Sequence, residues 1–368
     1  MRSARILAAP ACTGPAGRLP ERMPAAAPAK RTTIRWGILG CGDVTEVKSG
    51  PGFKLTPGSE LVAVMRRNGA LAADYARRHG VPRWYDDAKK LVDDPEVDAV
   101  YVATPPGAHL DGALLAAAAG KPCYVEKPMA RRTTECDAMI AAFTRAGQKL
   151  FVAYYRRALP RFLKVRELLE GGAIGRLTTI NYRMAAAPAA MNPPPWRLDA
   201  KHSGGGLLLD VGSHVLVFLD FCLGPLEGVH GQAARLGADT GGEDVVAMTF
   251  RTADGALGAA TWNFASFARE DVLEFSGIGG RLTLNFFSAD PVRLETANGI
   301  EHLDFPYPPH VAQPLIQTVV ADLLGRGTCP STADSARRTT VVLDRVLNDF
   351  YRGREDAFWT RPESWEAR

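Results

Sequence analysis

Residues 34–45 read IRWGILGCGDVT, an apolar run that leads into a glycine-rich turn. The apolar run predicts a β-strand, and Asp43 with Val44 marks the expected start of a helix. Gly40 permits a tight bend between the strand and the helix, and Gly42 lets a pyrophosphate group approach the backbone. The N–H groups at the start of the helix would then bind phosphate oxygens. This stretch predicts the first β-α turn of a dinucleotide-binding domain.

The size and composition of the chain are typical of a soluble protein with two domains. The chain has 368 residues, and domains average roughly 150 residues. Hydrophobic residues make up 46% and charged residues 23%, which excludes a disordered or collagen-like chain. The net charge of +4 is small for this length, so neither a nucleic-acid partner nor a membrane surface is predicted. The longest apolar runs are about half of the 18 or so residues that a membrane helix needs.

Six cysteines are dispersed along the chain, and none forms a CxxC pair or lies at zinc-site spacing from a histidine. Single cysteines in a large domain are usually small buried hydrophobic residues. We therefore expect no metal site and a reducing, cytoplasmic location.

Residues 1–33 differ in composition from the rest of the chain. They are rich in Ala, Pro and Arg, with Glu21 as the one acid. The apolar stretch that follows Arg5 stops at Pro10, and a secretory signal needs an apolar stretch of about 7–15 residues. An organellar transit peptide fits the composition somewhat better. We expect a disordered or cleaved extension, or an upstream start used in place of Met23.

A second predicted strand, residues 61–65, ends in Arg66, Arg67 and Asn68. NAD-binding domains usually place an acid here to hold the ribose 2′-hydroxyl, whereas an arginine accommodates the 2′-phosphate of NADP. A guanidinium pairs with phosphate through two parallel hydrogen bonds. The two arginines therefore favour NADP over NAD. The alternative is that both are simply solvated at the end of a strand.

Strands and helices keep alternating as far as residue 153. Helices are predicted at 70–79, 87–92, 109–119 and 133–146, and strands at 97–103, 122–125 and 149–153. This alternation predicts an α/β fold whose doubly wound Rossmann domain spans residues 34–157. Ligands bind beyond the carboxyl ends of the strands in such sheets. The residues expected to contact the cofactor at those ends are Thr104, Pro105, His109, Glu126 and Lys127.

After residue 160 the pattern changes to short strands joined by turns. A helix is predicted at 161–169, and strands at 177–184, 245–250, 257–264, 272–276, 282–286, 292–295 and 302–305. Short connections make neighbouring strands antiparallel. We predict an α+β domain with a large open, mostly antiparallel sheet over 158–352, followed by a surface tail at 353–368. The free face of that sheet suits pairing between subunits, so a homodimer or homotetramer is expected.

Inside this half, three glycines at 204–206 precede Asp210, His214 and an apolar stretch that ends at Gly224. Asp210 and His214 are four residues apart, so on a helix they would share a face. A carboxylate beside an imidazole raises its pKa and suits it to proton transfer near neutral pH. The spacing fits equally well a capping Asp210 and a buried core histidine. A metal site would need a third ligand, and none is close in sequence.

Residues near the interdomain junction are candidates for the substrate pocket. Tyr154, Tyr155, Arg156 and Arg157 follow the last strand of the first half, where the pocket should open. Tyr155 and Arg157 are the favoured pair, and Trp196 with Arg197 could line the same cleft. Aromatic faces and guanidiniums suit polyhydroxylated ligands. The alternative for each residue is packing between the domains.

Taken together, these segments resemble the Gfo/Idh/MocA oxidoreductase family. The matching pieces are GILGCGDVT at 37–45, ATPPGAH at 103–109, VEKPMA at 125–130 and GGGLLLDVGSH at 204–214. The resemblance spans about residues 34–352. Two residues depart from the family pattern. Thr45 stands where Gly or Ala is usual, which implies a slightly altered phosphate contact, and His109 lies in an unusual loop, which leaves its nicotinamide contact less certain.

The resemblance implies a nicotinamide cofactor in the first domain and a sugar, cyclitol or related polyol against the second. Lys127 would lie between nicotinamide and substrate, with Asp210 and His214 facing it. Oxidation of a carbinol needs a base for the O–H proton. The implied roles are proton transfer by His214, orientation of His214 by Asp210, and alkoxide stabilisation by Lys127. Glu126 would position the loop.

Three functions remain open at this point. The first is an NADP-dependent dehydrogenase or reductase that acts on CH–OH groups of a small polyol. The second is an NAD-dependent glycosidase of the same fold, which the missing acid after the second strand disfavours. The third is a non-catalytic dinucleotide-binding regulator, which the presence of Lys127, Asp210 and His214 disfavours.

Overall fold

The computed structural model describes residues 32–187, 197, 200–237 and 242–353, without the side chains of residues 200 and 201. Most of the predicted N-terminal extension and of the predicted C-terminal tail lies outside these residues, as does Trp196. None of the helices in the described ranges is long and apolar enough to cross a membrane.

Strands and helices alternate through the first half of the chain. In order they are β1 Ile34–Leu39, α1 Asp43–Val47, α2 Gly50–Leu55, β2 Ser59–Met65, α3 Gly69–His79, β3 Arg83–Tyr85, α4 Ala88–Asp93, β4 Ala99–Val102, α5 His109–Ala118, β5 Cys123–Val125, α6 Thr133–Ala146 and β6 Leu150–Val152. The strands form a parallel sheet in the order β3-β2-β1-β4-β5-β6. The predicted doubly wound fold is confirmed. The edge strand β3 was not predicted, because three residues carry too little pattern.

The strand order reverses between β1 and β4, which lie side by side at the centre of the sheet. Ligands of doubly wound sheets bind at such a reversal, beyond the carboxyl ends of the strands. Trp36 and Ile38 of β1 are fully buried, as expected for a central strand with helices on both faces. The fold therefore places the end of β1, with its glycine turn, at the site.

The second half combines helices with a large sheet. Its elements are α7 Pro160–Glu170, β7 Leu177–Ala185, α8 Ala200–Ser203, α9 Ser213–Leu223, β8 Glu227–Ala234, β9 Val245–Arg251, β10 Leu257–Asn263, β11 Glu270–Gly277, β12 Gly280–Leu284, β13 Val292–Thr296, β14 Gly299–Leu303, α10 Gln313–Leu323 and α11 Ala333–Leu347. The sheet order is β14-β13-β12-β11-β7-β10-β9-β8. Pairing is antiparallel except between β7 and β10. The predicted mostly antiparallel sheet is confirmed, whereas β8, α10 and α11 were not predicted.

One face of the large sheet packs on α7 and α9. Side chains alternate along β10, so that Ala260 and Trp262 are buried while Leu257 and Thr261 are exposed. Phe218 of α9 contributes to the same core. Most of α9 is buried, which fixes the position of the turn that precedes it.

The C-terminal helices return to the first half. Leu315 and Ile316 of α10 share a buried cluster with Trp36 and Phe53. Ala333 and the rest of α11's first turn pack near β6 and α6. These contacts join the two halves around the cleft that carries the site.

Candidate active site

A cavity of about 1200 Å³ lies where the carboxyl ends of the first sheet's strands meet the second half. The structure brings most of the predicted site residues to it. These residues are Gly40, Gly42, Asp43, Val44, Arg66, Arg67, Thr104, Pro105, Glu126, Lys127, Tyr155, Arg197, Asp210 and His214. Two predicted residues, His109 and Arg157, do not line the cavity.

The glycine turn forms one end of the cavity. Gly40 has φ +89°, and a Cβ there would lie 2.8 Å from Thr104 Cγ2, so the turn requires glycine. A Cβ on Gly42 would meet nothing closer than the Gly40 oxygen at 3.9 Å, which leaves its backbone open to the cavity. This open backbone fits the phosphates of a dinucleotide.

Thr45 does not make the altered phosphate contact that we expected. Its side chain is buried, and Oγ1 donates a hydrogen bond of 2.7 Å to the Gly42 carbonyl. The Tyr75 hydroxyl donates to the Thr45 carbonyl at 2.9 Å. The Thr45 hydroxyl is engaged in a hydrogen bond within the turn, so Thr45 stabilises the glycine turn.

Arg66 and Arg67 are exposed at the end of β2 and line the same end of the cavity. The next residue, Asn68, caps α3 by accepting a hydrogen bond from the Leu71 N–H at 3.2 Å. This cap consumes the one neutral side chain of the segment. The guanidiniums of Arg66 and Arg67 therefore remain at the position where the ribose 2′-hydroxyl of NAD or the 2′-phosphate of NADP would lie.

Glu126 is a buried carboxylate behind the reactive loop. It accepts hydrogen bonds from the Tyr101 hydroxyl and, at 3.1 Å, from the Lys127 backbone N–H. Burial raises the pKa of Glu126 despite these bonds and the nearby Lys127 charge. The following Lys127–Pro128 peptide bond is cis. Glu126 thus holds the backbone from which Lys127 projects.

Lys127 and Asp210 meet across the cleft between the two halves. The Lys127 Nζ lies 2.5 Å from Asp210 Oδ1 and 3.2 Å from the Asp210 carbonyl oxygen. Arg197 Nη1 lies 3.0 Å from Asp210 Oδ2. Burial alone would raise the pKa of Asp210, but the charges of Lys127 and Arg197 outweigh it and lower that pKa. Asp210 therefore stays ionised and fixes the Lys127 ammonium in the cavity.

His214 begins α9, directly after a π-helical turn at Leu208–Gly212. Its ring is surrounded by aromatic side chains, with ring centroids 5.5 Å from Tyr155 and 6.2 Å from Phe287. Nδ1 is buried, and no described residue forms a hydrogen bond with it. A buried polar atom without a partner usually indicates a missing ligand or water. His214 also lines the cavity, so its ring borders the space that a ligand would occupy.

Two expectations about His214 were wrong. Asp210 does not orient it, because the Asp210 carboxylate is engaged by two cations, Lys127 and Arg197. Its pKa is also not raised. Burial, together with the charges of Arg156 and Lys127, lowers the pKa of His214 well below its usual 6.5. The ring is neutral at physiological pH and can accept a proton.

His109, predicted to contact the cofactor, is instead the buried first residue of α5. Its ring nitrogens lie 2.8 Å from the Thr104 oxygen and 2.9 Å from the Pro128 oxygen. Burial lowers the pKa of His109 to about 4. Both nitrogens face backbone carbonyls, and the one N–H of the neutral ring donates to one of them, so His109 connects two segments beside the cavity and does not line it.

Arg157, predicted to bind substrate, is a buried residue between the halves. Its Nη2 lies 2.9 Å from Asp220 Oδ2, and its Nη1 donates to the Pro330 carbonyl at 2.8 Å. Arg338 binds the same Asp220 from a more exposed side. Arg157 takes the alternative role of packing between the domains.

Replacing Arg157 with methionine is expected to lower the free energy of unfolding by about 2 kcal/mol. The reason is that the Arg157 and Asp220 side chains are only 3% and 5% exposed, so the pair is broken inside the protein. Urea unfolding measures this. The matched control is Arg338→Met, since Arg338 is 42% exposed and its loss should cost less than about 1 kcal/mol. A larger loss of unfolding free energy for Arg338→Met than for Arg157→Met would contradict the assignment of Arg157 as a packing residue between the domains.

Sequence reasoning missed several cavity residues. Lys48, His202 and Phe287 also line the cavity. Arg156 belonged to the segment that we singled out, but the structure exchanges the expected roles of the two adjacent arginines. In the parts of the chain that the structure describes, no group of three or more His, Cys, Asp or Glu side chains could hold a metal ion.

The glycine turn, the parallel sheet and the cavity together define a dinucleotide-binding oxidoreductase. Residues 34–154 match the family model of the oxidoreductase family with an NAD-binding Rossmann fold, and residues 162–283 match the GFO/IDH/MocA C-terminal domain. The chain belongs to the Gfo/Idh/MocA family of oxidoreductases.

Individual relatives extend this likeness over most of the chain. Oxidoreductase P35 of Formosa agariphila is 34% identical, covering 84% of this chain and 97% of the relative. Trans-1,2-dihydrobenzene-1,2-diol dehydrogenase of Danio rerio is 31% identical, covering 76% and 82%. A solved structure of levoglucosan dehydrogenase with NADH and levoglucosan has a TM-score of 0.77 at 21% identity, covering 86% and 96%. That structural likeness shows the shared fold.

Proposed function

We propose that the protein is an NADP-dependent oxidoreductase that moves hydride between nicotinamide and a carbinol or carbonyl carbon of a sugar, cyclitol or related polyol. One observation carries this proposal. A fixed ammonium, Lys127, and a neutral imidazole, His214, line the same cavity as the open glycine turn. An alcohol oxidation needs these two groups beside a nicotinamide.

The residues divide the work as follows. Bound NADP supplies the hydride acceptor or donor. His214 accepts the O–H proton of the carbinol. Its low pKa keeps the imidazole unprotonated before this transfer. Lys127 lies beside the developing alkoxide and stabilises it as a fixed cation. Asp210 positions Lys127 through their ion pair, with Arg197 on its other oxygen.

The names of the relatives support the substrate class. One is a dehydrogenase of a dihydrobenzene diol, and another is crystallised with levoglucosan. A screen that follows nicotinamide absorbance over sugars, cyclitols, dihydrodiols and their keto forms tests the proposal. Turnover with at least one of these classes is expected. Glycoside cleavage without net cofactor turnover, or cofactor binding without any reaction, would overturn it.

We propose NADP as the cofactor because Arg66 and Arg67 line the cavity at the end of β2. The segment from Arg66 to Asn68 contains no carboxylate that would hold a ribose 2′-hydroxyl. The levoglucosan dehydrogenase structure holds NADH, so this preference is a property proposed for the present chain. A 2′-phosphate would receive charge-assisted hydrogen bonds from the two guanidiniums.

Replacing Arg66 with alanine is expected to weaken NADPH binding by about 10–100-fold and to leave NADH binding unchanged. Calorimetric Kd values for both cofactors measure this. Arg77→Ala is the matched control, because Arg77 is an exposed arginine of α3 that pairs with Asp74 away from the cavity. Tighter binding of NADH by the unmodified protein, or equal weakening of both cofactors, would contradict the prediction.

We also propose a homodimer or homotetramer formed through the large sheet, in a reducing cytoplasmic compartment. The assembly is supported by the sheet face away from α7 and α9, where Ala247, Ala259 and Leu257 are exposed. The reducing compartment is supported by the free thiols of Cys41, Cys123, Cys136, Cys222 and Cys329. Light scattering should give at least twice the mass of one 39.6 kDa chain, and a monomeric mass would refute the assembly.

A further inference from the structure

Arg156 places a guanidinium in the wall of the cavity, at the end away from the glycine turn. The residue is 6% exposed and lines the cavity. Its guanidinium carbon lies 4.6 Å from the ring centroid of Phe287 and 5.0 Å from that of Tyr155. Nη1 donates a hydrogen bond of 2.9 Å to the Tyr155 hydroxyl, and Nε is buried with no hydrogen-bond partner.

Three other cations around the site are paired with a carboxylate, whereas Arg156 has no such partner among the described residues. Arg157 pairs with Asp220, and Lys127 and Arg197 both pair with Asp210. No carboxylate of the described residues forms an ion pair with Arg156. Aromatic faces attract a cation, but each contributes less than a carboxylate would. A buried guanidinium that has donors to spare and faces a cavity is suited to an anion from outside the chain.

The charges near Arg156 leave this end of the cavity positive. Lys48, Lys127, Arg156 and Arg197 line it, whereas Asp210 is the ionised acid among them. Glu126 accepts hydrogen bonds from Tyr101 and from the Lys127 N–H, and even when it is counted as a second acid, four cations face two carboxylates here. A neutral polyol would leave this excess positive charge uncompensated.

Arg156 also lies close to the proposed base. The rings of Tyr155 and Phe287 contact both the guanidinium of Arg156 and the imidazole of His214. A ligand group held by Arg156 would therefore lie beside His214, on the same side of the cavity. Such an anchor would present a neighbouring carbinol to the imidazole.

We propose that the substrate is a polyol that carries a carboxylate, of the hydroxy-acid or sugar-acid class, and that Arg156 binds this carboxylate. The inference rests on the proposed function, which it narrows. One guanidinium matches the single charge and planar shape of a carboxylate. A phosphate, with about two charges at neutral pH, is the alternative anion that the test includes. Arg156 is thus the specificity-determining residue of the pocket.

The test measures binding without turnover. The protein saturated with its reduced nicotinamide cofactor cannot oxidise an alcohol, and a constant nicotinamide absorbance during the titration checks that no carbonyl is reduced, so calorimetry reports affinity alone. Glucose, galactose and mannose are compared with their uronic acids, and glucose 6-phosphate serves as the phosphate probe. At least one uronate is expected to bind about 10–100-fold more tightly than its parent sugar. Arg156→Met should abolish that difference through weaker binding of the uronate.

Two further variants sharpen the result. Arg156→Lys keeps the charge but loses the planar fork, so it should retain part of the preference. Arg145→Met removes an exposed arginine of α6 and should change nothing. Equal binding of every uronate and its parent sugar by the unmodified protein would overturn the inference, as would tighter binding of the sugar phosphate. Because no hydride transfer is measured, a failure of the proposed reaction would show in the substrate screen and not here.

Discussion

Replacing Lys127 with methionine is expected to lower kcat by about 10²–10³-fold. Methionine keeps an apolar stem of similar length but removes the cation that stabilises the developing alkoxide. Asp210 keeps its ion pair with Arg197 in the variant, so the buried carboxylate is not left alone. The cofactor Kd should stay nearly unchanged, because the glycine turn and Arg66 lie at the other end of the cavity.

Steady-state kinetics with the substrate found in the screen, together with cofactor titration, measure these effects. Lys89→Met is a suitable control, because Lys89 is an exposed lysine that pairs with Asp93 on α4. Full activity of the Lys127 variant would remove the ammonium from the mechanism. A loss of cofactor binding equal to the loss of kcat would reduce Lys127 to a binding residue.

Replacing His214 with phenylalanine is expected to lower kcat by about 10²–10⁴-fold. The ring shape is kept inside its aromatic surroundings, but the proton acceptor is lost. Because no described residue forms a hydrogen bond with Nδ1, this variant should unfold at or above the temperature of the unmodified protein. The smaller variant His214→Ala should regain part of its activity when imidazole is added to the assay.

The control is His230→Phe, an exposed histidine of β8. Unfolding of His214→Phe at a much lower temperature would mean that His214 is a core residue whose ring nitrogens form hydrogen bonds within the protein. Failure of imidazole to restore any activity, with the fold intact, would count against its role as the base.

The pH dependence follows from the same environment. The pKa of His214 lies well below 6.5, so the imidazole stays neutral as the pH falls through that value. The rate of oxidation should therefore remain level from pH 8 to below pH 6.5, where an exposed histidine base would already have lost half its activity. An acidic limb centred near 6.5 in kcat/KM would contradict this prediction.

Local patterns were enough for the architecture. The glycine turn after β1 depends on backbone geometry that only glycine permits, and Gly40 shows it directly. The pattern of short strands joined by turns marked β9 and β10, which pair antiparallel as expected. Short or interrupted elements such as β3 and β8 were missed, since tertiary packing and not local pattern makes them strands.

The roles of individual side chains were harder to predict. Arg156 and Arg157 are neighbours in a short 3₁₀ turn, where successive side chains point about 120° apart. One therefore faces the cavity and the other the interior. Nothing in the order of two identical residues reveals which is which.

The amino-acid order by itself determined the fold class, the position of the dinucleotide turn and the residues that gather at the strand ends, because these follow from local geometry and from hydrophobic period. Only the tertiary structure decided which charges meet. Lys127 and Asp210 are 83 positions apart, yet their contact draws Asp210 away from His214. The protonation of His214 follows in turn from burial and from Arg156, since desolvation and Coulomb energy depend on distance in space and not on separation along the chain.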